Sequence, residues 1–347
     1  MDKTRIEWID FVRILAILTV LYMHATDGIF LLSPDPIVNY TIYSKIFNFA
    51  SLYIGRLGVP IFLMITGYLL LDRSYDDSKT QNFWKENCKD LIIITIIWLL
   101  IYLVSLKFLT SENNIVNLTQ AGNLFFSHMW YMPMIIGMYL SLPFVANAFK
   151  HFETETIYQA SIVFSILAFA IPFISIILEM NRISLGTLQY NLGFSGGAYG
   201  LYIIFGYLVR KGKFKKFSSN KLWAVFIISF LFSVLFQYYA FTINYDFILW
   251  YEFPFILLGS LSLFELCSRL KSFRFYSGMK ILSKYAFAVF LIHNLFRLPL
   301  LPFVVRLPYS EPVKTIILWI LLVVLSFVAA ALIHRIPKFG KYILYME

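Results

Sequence analysis

Charge is scarce in this chain. Of its 347 residues only 14% are Asp, Glu, Lys or Arg, against about 25% in an ordinary soluble domain. No stretch is left from which a soluble domain of useful size could be built. Cysteine is nearly absent. Cys88 and Cys267 exclude a disulfide framework, and both fall at expected cytoplasmic helix ends, where thiols stay reduced. The signatures of soluble enzymes are missing too: there is no P-loop, no G-x-G-x-x-G, no H-E-x-x-H and no G-x-S-x-G. Metal ligands at useful spacing are likewise absent, so neither nucleotide-driven pumping nor zinc chemistry is expected and no metal is assigned. With no internal repeat, low-complexity segment or linker, the chain reads as a single domain over residues 1–347.

Apolar sequence fills the space that charge leaves. Sixty per cent of the residues are hydrophobic and 19% aromatic, with a mean hydropathy of +0.74. The expected fold is an all-α integral membrane protein of about ten transmembrane helices, each long enough for a hydrocarbon core of about 30 Å. The apolar runs lie at 8–31, 54–72, 89–109, 128–147, 157–178, 196–211, 222–243, 247–267, 281–303 and 313–334. The first is too long, and too lacking in a small-residue cleavage site, for a removed signal peptide. The sixth is short and carries Gly196, Gly197, Gly200 and Gly206, which suits close helix packing or backbone approach to a ligand. The formal charge of +10 does not point to nucleic acid, because the basic residues sit in short loops between spans, as the positive-inside rule requires. Loops 73–89, 210–221 and 268–284 and the tail are basic, whereas 110–127 and 244–246 contain no Lys or Arg. Both termini are therefore expected in the cytoplasm. The longest external connection, 32–53, has helical periodicity over 37–53 and is expected along the membrane surface. Sequons at Asn39 and Asn117 are of a kind that arises often by chance.

The first span contains the least lipid-compatible residues. Arg13 and His24 are separated by ten residues. Eleven steps of about 100° and about 1.5 Å put both side chains near one face, roughly 16 Å apart. A charge inside an apolar span costs at least about 2.5–3.5 kcal/mol. Asp10 lies one turn before Arg13 and Asp27 one turn after His24, both at helical neighbour spacing. For His24 the readings are a hydrogen bond to a neighbouring helix, or a general base or acyl relay that Asp27 orients. For Arg13 they are a snorkelling side chain, or an anchor for the phosphate of a cytoplasmic ligand.

Other candidates follow along the chain. Arg56 precedes Val59–Tyr68, a run with Pro60 and Gly67. It is either an interface anchor or a contact for an acidic or sugar-bearing acceptor. His128, Trp130 and Tyr131 open the fourth span, as part of an aromatic belt or of a carbohydrate site. Glu252 is an intramembrane or near-intramembrane carboxylate of the eighth span, a functional candidate by default. His293 is a second buried histidine, structural or functional, with Arg297 one turn on.

In combination these segments resemble the acyltransferase-3 family of membrane O-acyltransferases. The resemblance rests on Trp8-Ile-Asp-Phe-Val-Arg13 with its R-x10-H pair, Val59-Pro-Ile-Phe-Leu-Met-Ile-Thr-Gly-Tyr68, His128-Met-Trp-Tyr131, and the stretch from Ser283 to Phe290-Leu-Ile-His293. It covers almost the whole chain. It implies a stand-alone enzyme of the bacterial plasma membrane that moves an acyl group, commonly acetyl from acetyl-CoA, to a hydroxyl of a carbohydrate or glycolipid outside. Arg13 and His24 match the family's arginine and histidine. Many relatives have an arginine-rich pair where the third span begins; this chain has Lys85 and Lys89, which can bind phosphate as point charges. CoA phosphates would stay among Arg13, Lys85 and Lys89, with the pantetheine arm reaching towards His24. The rival readings are an exporter or flippase of a polysaccharide or lipid-linked sugar, and a lipid-phosphate-sugar glycosyltransferase using Asp27 or Asp35. The exporter predicts inverted repeats, which the sequence does not display. Oligomeric state is not legible.

Overall fold

The computed structural model describes residues 5–31, 39–109, 129–183, 197–336 and 343–344. These are helical throughout, apart from turns and loops. The helices are α1 (Glu7–Leu31), α2 (Ile42–Arg56), α3 (Gly58–Leu70), α4 (Asp77–Phe83), α5 (Lys89–Leu109), α6 (Tyr131–Phe149), α7 (Thr154–Ser165), α8 (Ile171–Met180), α9 (Gly197–Arg210), α10 (Ser219–Thr242), α11 (Pro254–Ser268), α12 (Tyr276–Val305) and α13 (Glu311–His334). One π turn, Trp84–Cys88, joins α4 to α5 and another, Ile166–Ala170, joins α7 to α8.

Local chemistry sets the boundaries. The Thr41 hydroxyl accepts from the Ser44 amide at the start of α2, the Asp76 carboxylate from Lys79 before α4, and the Ser218 hydroxyl from Lys221 before α10. Each satisfies an amide that the first helical turn leaves without a backbone partner. Pro60 stands in the first turn of α3, where its missing N–H breaks no hydrogen bond.

The helices are amphipathic in the inverted sense. On α13, Val313, Ile316, Ile320, Val324, Val328 and Leu332 face outward, while the buried stripe includes Thr315, Ser326 and Ala330. On α10 the buried positions include Ser229, Ser233, Gln237 and Ala240, and the exposed ones Ile227, Ile228, Leu231 and Leu235. Small and polar residues between helices and aliphatic ones outside suit a bundle whose solvent is lipid.

Among the described residues, eight helical stretches are long and apolar enough to cross a membrane, against the ten spans read from sequence. Two expected spans resolve differently. The stretch 196–211 supplies α9 from Gly197, 14 residues long, or about 21 Å at 1.5 Å per residue. The stretch 247–267 begins as a loop, and its helix, α11, has 15 residues. The helix expected on the membrane surface is instead packed inside. α2 runs through Leu57 into α3, and Ile42–Leu70 counts as one long apolar stretch that is mostly buried. Its inward face carries Ser44, Asn48, Ser51 and Arg56, a polar stripe turned into the bundle.

α1 sits at the centre, packed on α2, α3, α12 and α13. α3 and α9 approach so closely that a Cβ on Gly206 would lie 2.0 Å from the Met64 carbonyl oxygen. At the same end of these two helices Asp72 accepts from Arg210 at 2.8 Å and pairs with Lys211 at 2.5 Å. Cys88 and Cys267 are buried free thiols.

Candidate active site

The polar residues of α1 divide into two groups, one near each end. In the first, Asp10 is fully buried and gathers four partners. Arg5 donates at 2.6 and 3.1 Å, Arg13 at 3.3 Å, Tyr276 at 3.0 Å and Ser283 at 2.7 Å. The expected Asp10–Arg13 pair is present. The hydrogen bond it donates to Asp10 raises the affinity of the Arg5 guanidinium for its proton, against some loss from burial.

Beside this knot lies a cavity of about 710 Å³. Four cations line it, Arg5, Arg13, Arg73 and Lys284, together with Asp10, Asn87 and Ser283. Further in, the walls become apolar and aromatic: Phe62 and Ile65 of α3, Tyr131 and Ile135 of α6, Phe287 of α12. Phe62 to Leu70 is eight residue steps along α3, a depth of about 12 Å. Lys85 and Lys89 are exposed and do not line this cavity. Arg5, Arg73 and Lys284 line it beside Arg13. Sequence reading had counted Arg73 and Lys284 only as loop charge.

In the second group, the His24 and His293 rings lie 4.8 Å apart, tilted by 39°. His293 is fully buried. Its Nδ1 lies 2.7 Å from the Phe290 carbonyl oxygen. Against a carbonyl that nitrogen must donate, which assigns the proton to Nδ1 and the basic lone pair to Nε2 in the neutral ring. Arg297, one turn further along α12, donates from Nε to the His24 carbonyl oxygen at 3.1 Å and from Nη1 to Asn294 at 3.3 Å. The Asp27 carboxylate is in electrostatic reach of both Arg297 and Arg56. The histidine pair therefore joins α1 to α12, a pairing that spacing within one helix cannot reveal. From the inner cavity, Tyr131 leads to Phe290 at 5.6 Å and Phe290 to His293 at 6.1 Å.

A second cavity, of about 450 Å³, opens beyond the histidines. Its walls include Asp27, Asn48, Arg56, Gln237, Asp246 and Trp250. Arg56 is 5% exposed, so it is not the interface anchor. Its guanidinium carbon lies 4.0 Å from the Trp250 ring and 5.2 Å from that of Tyr251. Nε donates to the Leu249 carbonyl oxygen at 3.2 Å. The loop that carries these rings is tethered by Gln237, which takes the Leu249 amide and donates to the Phe247 carbonyl, and by Tyr202, which donates to the Tyr251 carbonyl at 2.6 Å.

The remaining sequence candidates fall in various places. Trp130 caps α6 and packs its ring against Tyr199, Trp250 and Tyr251. Tyr131 lines the inner cavity and also packs edge-on against Trp130, 6.3 Å between ring centroids, so it links the cavity to the aromatic cluster. Glu252 is exposed in the loop before α11, outside the eighth span where it was expected, and it lines neither cavity. His128, Asp35 and Asn117 lie outside the described residues. Among the described residues no group of His, Cys, Asp or Glu is placed to hold a metal ion.

Comparison with known proteins gives one match. The family described as an acyltransferase domain, acyltransferase-3, matches residues 6–335. No curated protein and no solved structure matches the chain.

Proposed function

The chain belongs to the acyltransferase-3 family, and on that premise we propose that it is a membrane O-acyltransferase. It takes an acyl group, acetyl in the first instance, from cytoplasmic acyl-CoA and passes it to a carbohydrate or glycolipid hydroxyl on the far side of a bacterial plasma membrane. The observation that carries this reading is the position of the His24–His293 pair, with the basic inner cavity on one side and the outer cavity on the other.

In this reading the inner cavity faces the cytoplasm, as do both termini. Arg5, Arg13, Arg73 and Lys284 hold the CoA phosphates, for which guanidinium and ammonium groups are suited. The pantetheine arm runs inward along Phe62, Tyr131 and Phe287, and the thioester arrives beside the histidines. His24 accepts the proton of the acceptor hydroxyl as its oxygen attacks the thioester carbonyl. The tetrahedral intermediate collapses, the C–S bond breaks and the imidazolium returns the proton to the CoA thiolate. Ester and free CoA are the products, and the imidazole is regenerated. Arg297 fixes the backbone of His24, and the negative Asp27 offsets the imidazolium that forms.

The test is acyl transfer from radiolabelled acetyl-CoA in membranes carrying wild type, His24→Ala or Arg13→Ala at matched abundance. Label in surface glycan or an added glycoside, lost in both variants, is the expected result. Label trapped on the wild-type protein would replace direct transfer by an acyl-imidazole. Unchanged transfer by His24→Ala would defeat the mechanism.

A further inference from the structure

At the outer cavity lies a charge imbalance, and one member of it, Arg56, has no part in the transfer chemistry. Two guanidiniums, Arg56 and Arg297, share one nearby carboxylate, Asp27. Among the described residues neither arginine has a carboxylate at ion-pair distance. Asp246, the other acid of the cavity, is exposed in its loop, where water screens it. The group therefore carries at least one uncompensated positive charge in a buried place, which is costly unless something neutralises it.

Arg56 is the part of this group that can be reached. It lines the cavity, whereas Arg297 does not. Its orientation is fixed on three sides, by Trp250, by Tyr251 and by the Leu249 carbonyl. That carbonyl takes the Nε proton and the Tyr251 side chain takes a further hydrogen bond from the guanidinium, and the N–H groups that remain suit an oxyanion. A guanidinium already stacked and ordered loses little freedom when it binds. Around it, Asn48, Gln237, Asp27 and the exposed Trp250 provide donors, acceptors and an aromatic surface of the kind that hydroxyl-rich rings need.

We propose that the outer cavity takes a saccharide bearing an anionic group, a carboxylate or a phosphate ester, with Arg56 as the anchor of that group. Calling this saccharide the acyl acceptor rests on the acyl-transfer reading; the anion selectivity of the cavity does not. A neutral sugar would leave the positive charge uncompensated, so discrimination falls on the charge of the ligand more than on its ring. The hydroxyl to be acylated would lie on the Asp27 side, one turn of α1 from His24.

The experiment is isothermal titration of the purified full-length protein in detergent with methyl glucuronide, glucose 1-phosphate and neutral methyl glucoside. At least one charged ligand should bind tenfold or more tightly than the glucoside, and the better of the two identifies carboxylate or phosphate as the natural group. Arg56→Gln should abolish the preference, and Arg56→Lys should retain part of it. The wild-type comparison needs no variant to fold. Equal affinity for charged and neutral sugars, no binding of any, or a preference that survives in Arg56→Gln would overturn the proposal. Acetyl transfer to the neutral and the charged glycosides with equal efficiency would overturn it while leaving acyl transfer intact. Anion-selective binding without transfer to any glycoside would do the reverse.

Discussion

Alanine at Gly206 should destabilise the protein, although helix propensity alone argues the opposite. In an exposed helix interior, Gly to Ala gains about 1 kcal/mol. Here the new Cβ would stand 2.0 Å from the Met64 carbonyl oxygen, and one at Gly67 would stand 1.7 Å from that of Ile203. An ordinary carbon–oxygen contact is about 3.3 Å, so α3 and α9 must part by more than about 1 Å. A backbone carbonyl cannot rotate aside as a side chain can. Overpacking of this kind costs about 1–3 kcal/mol; taking the upper end and subtracting the propensity gain leaves a net loss of about 2 kcal/mol for either variant. The two glycines share one seam, so parting the helices once relieves both clashes. The double variant should lose less than the sum of the singles, with a coupling of about 1 kcal/mol or more. Denaturant titration of the folded fraction in detergent measures all three. α3 also supplies Phe62, Ile65, Thr66, Leu69 and Leu70 to the inner cavity, so Gly67→Ala should raise the KM for acyl-CoA as well. A Gly206→Ala protein as stable as wild type, or strictly additive losses, would refute the close seam.

Arg73→Ala should raise the KM for acyl-CoA about five- to tenfold, equivalent to about 1–1.4 kcal/mol, while the double variant Lys85→Ala/Lys89→Ala stays within about twofold; steady-state kinetics in membranes would show the reverse if the donor phosphates lie outside the cavity. Arg297→Gln should lower kcat about tenfold with little change in donor KM, because it loosens the backbone of His24 and touches no phosphate site; a change in KM alone would remove its positioning role. With Cys88 and Cys267 buried, cysteines placed at Lys215 and Asp246 should react with an impermeant maleimide from opposite sides of the membrane, and reaction from one side would invalidate the orientation. Partial burial pushes the Asp72 carboxyl up, but the hydrogen bonds from Lys211 and Arg210 prevail and hold it below its ordinary value. Its stabilisation is therefore complete above the unfolded value of about 3.9 and is lost as pH falls through the lower folded value. Asp72 and its partners are partly exposed, which limits the effect to under about 1 kcal/mol. Asp72→Asn should flatten the decline in thermal stability between about pH 4 and pH 2, and an unchanged slope would assign the acid sensitivity elsewhere.

How much of this was legible in the sequence depends on whether the relation was local. Arg13, His24, Asp10 and Asp27 lie on one continuous helix, so spacing alone located them and paired Asp10 with Arg13. His293 was visible as an intramembrane histidine, but its contact with His24 joins α1 to α12 across almost the whole chain. The polar stripe of α2 misled for a physical reason. Ser44, Asn48 and Arg56 repeat at helical spacing, and the pattern does not say whether the polar face meets water or a polar cavity. Arg73 and Lys284 were masked by the positive-inside rule, which explains every basic residue at that end and so distinguishes none. Glu252 was drawn into a span by its apolar neighbours Leu249, Tyr251 and Phe253, which are buried because Gln237, Arg56 and Tyr202 hold their loop inside the bundle.

The cavities and the buried charges account for one another. An arginine or aspartate in lipid costs several kcal/mol, and α1, α2 and α12 together carry Asp10, Arg13, Asp27, Arg56 and Arg297. Arg13 and Asp10 border the inner cavity, and Asp27 and Arg56 the outer one, so these charges have a polar or wet surface that relieves part of the cost. Arg297 borders neither and is held by a backbone carbonyl, by Asn294 and by the field of Asp27. Between the two groups, α1 from Ile14 to Met23 contributes no ionisable side chain but Tyr22, and this largely apolar length separates them along the helix by about 15 Å. A reaction that joins a donor on one side to an acceptor on the other needs such a separation, with titratable groups at one point in it. In the proposed reaction the histidine pair supplies that point, so removing His24 should stop transfer while leaving the inner cavity and its cations in place.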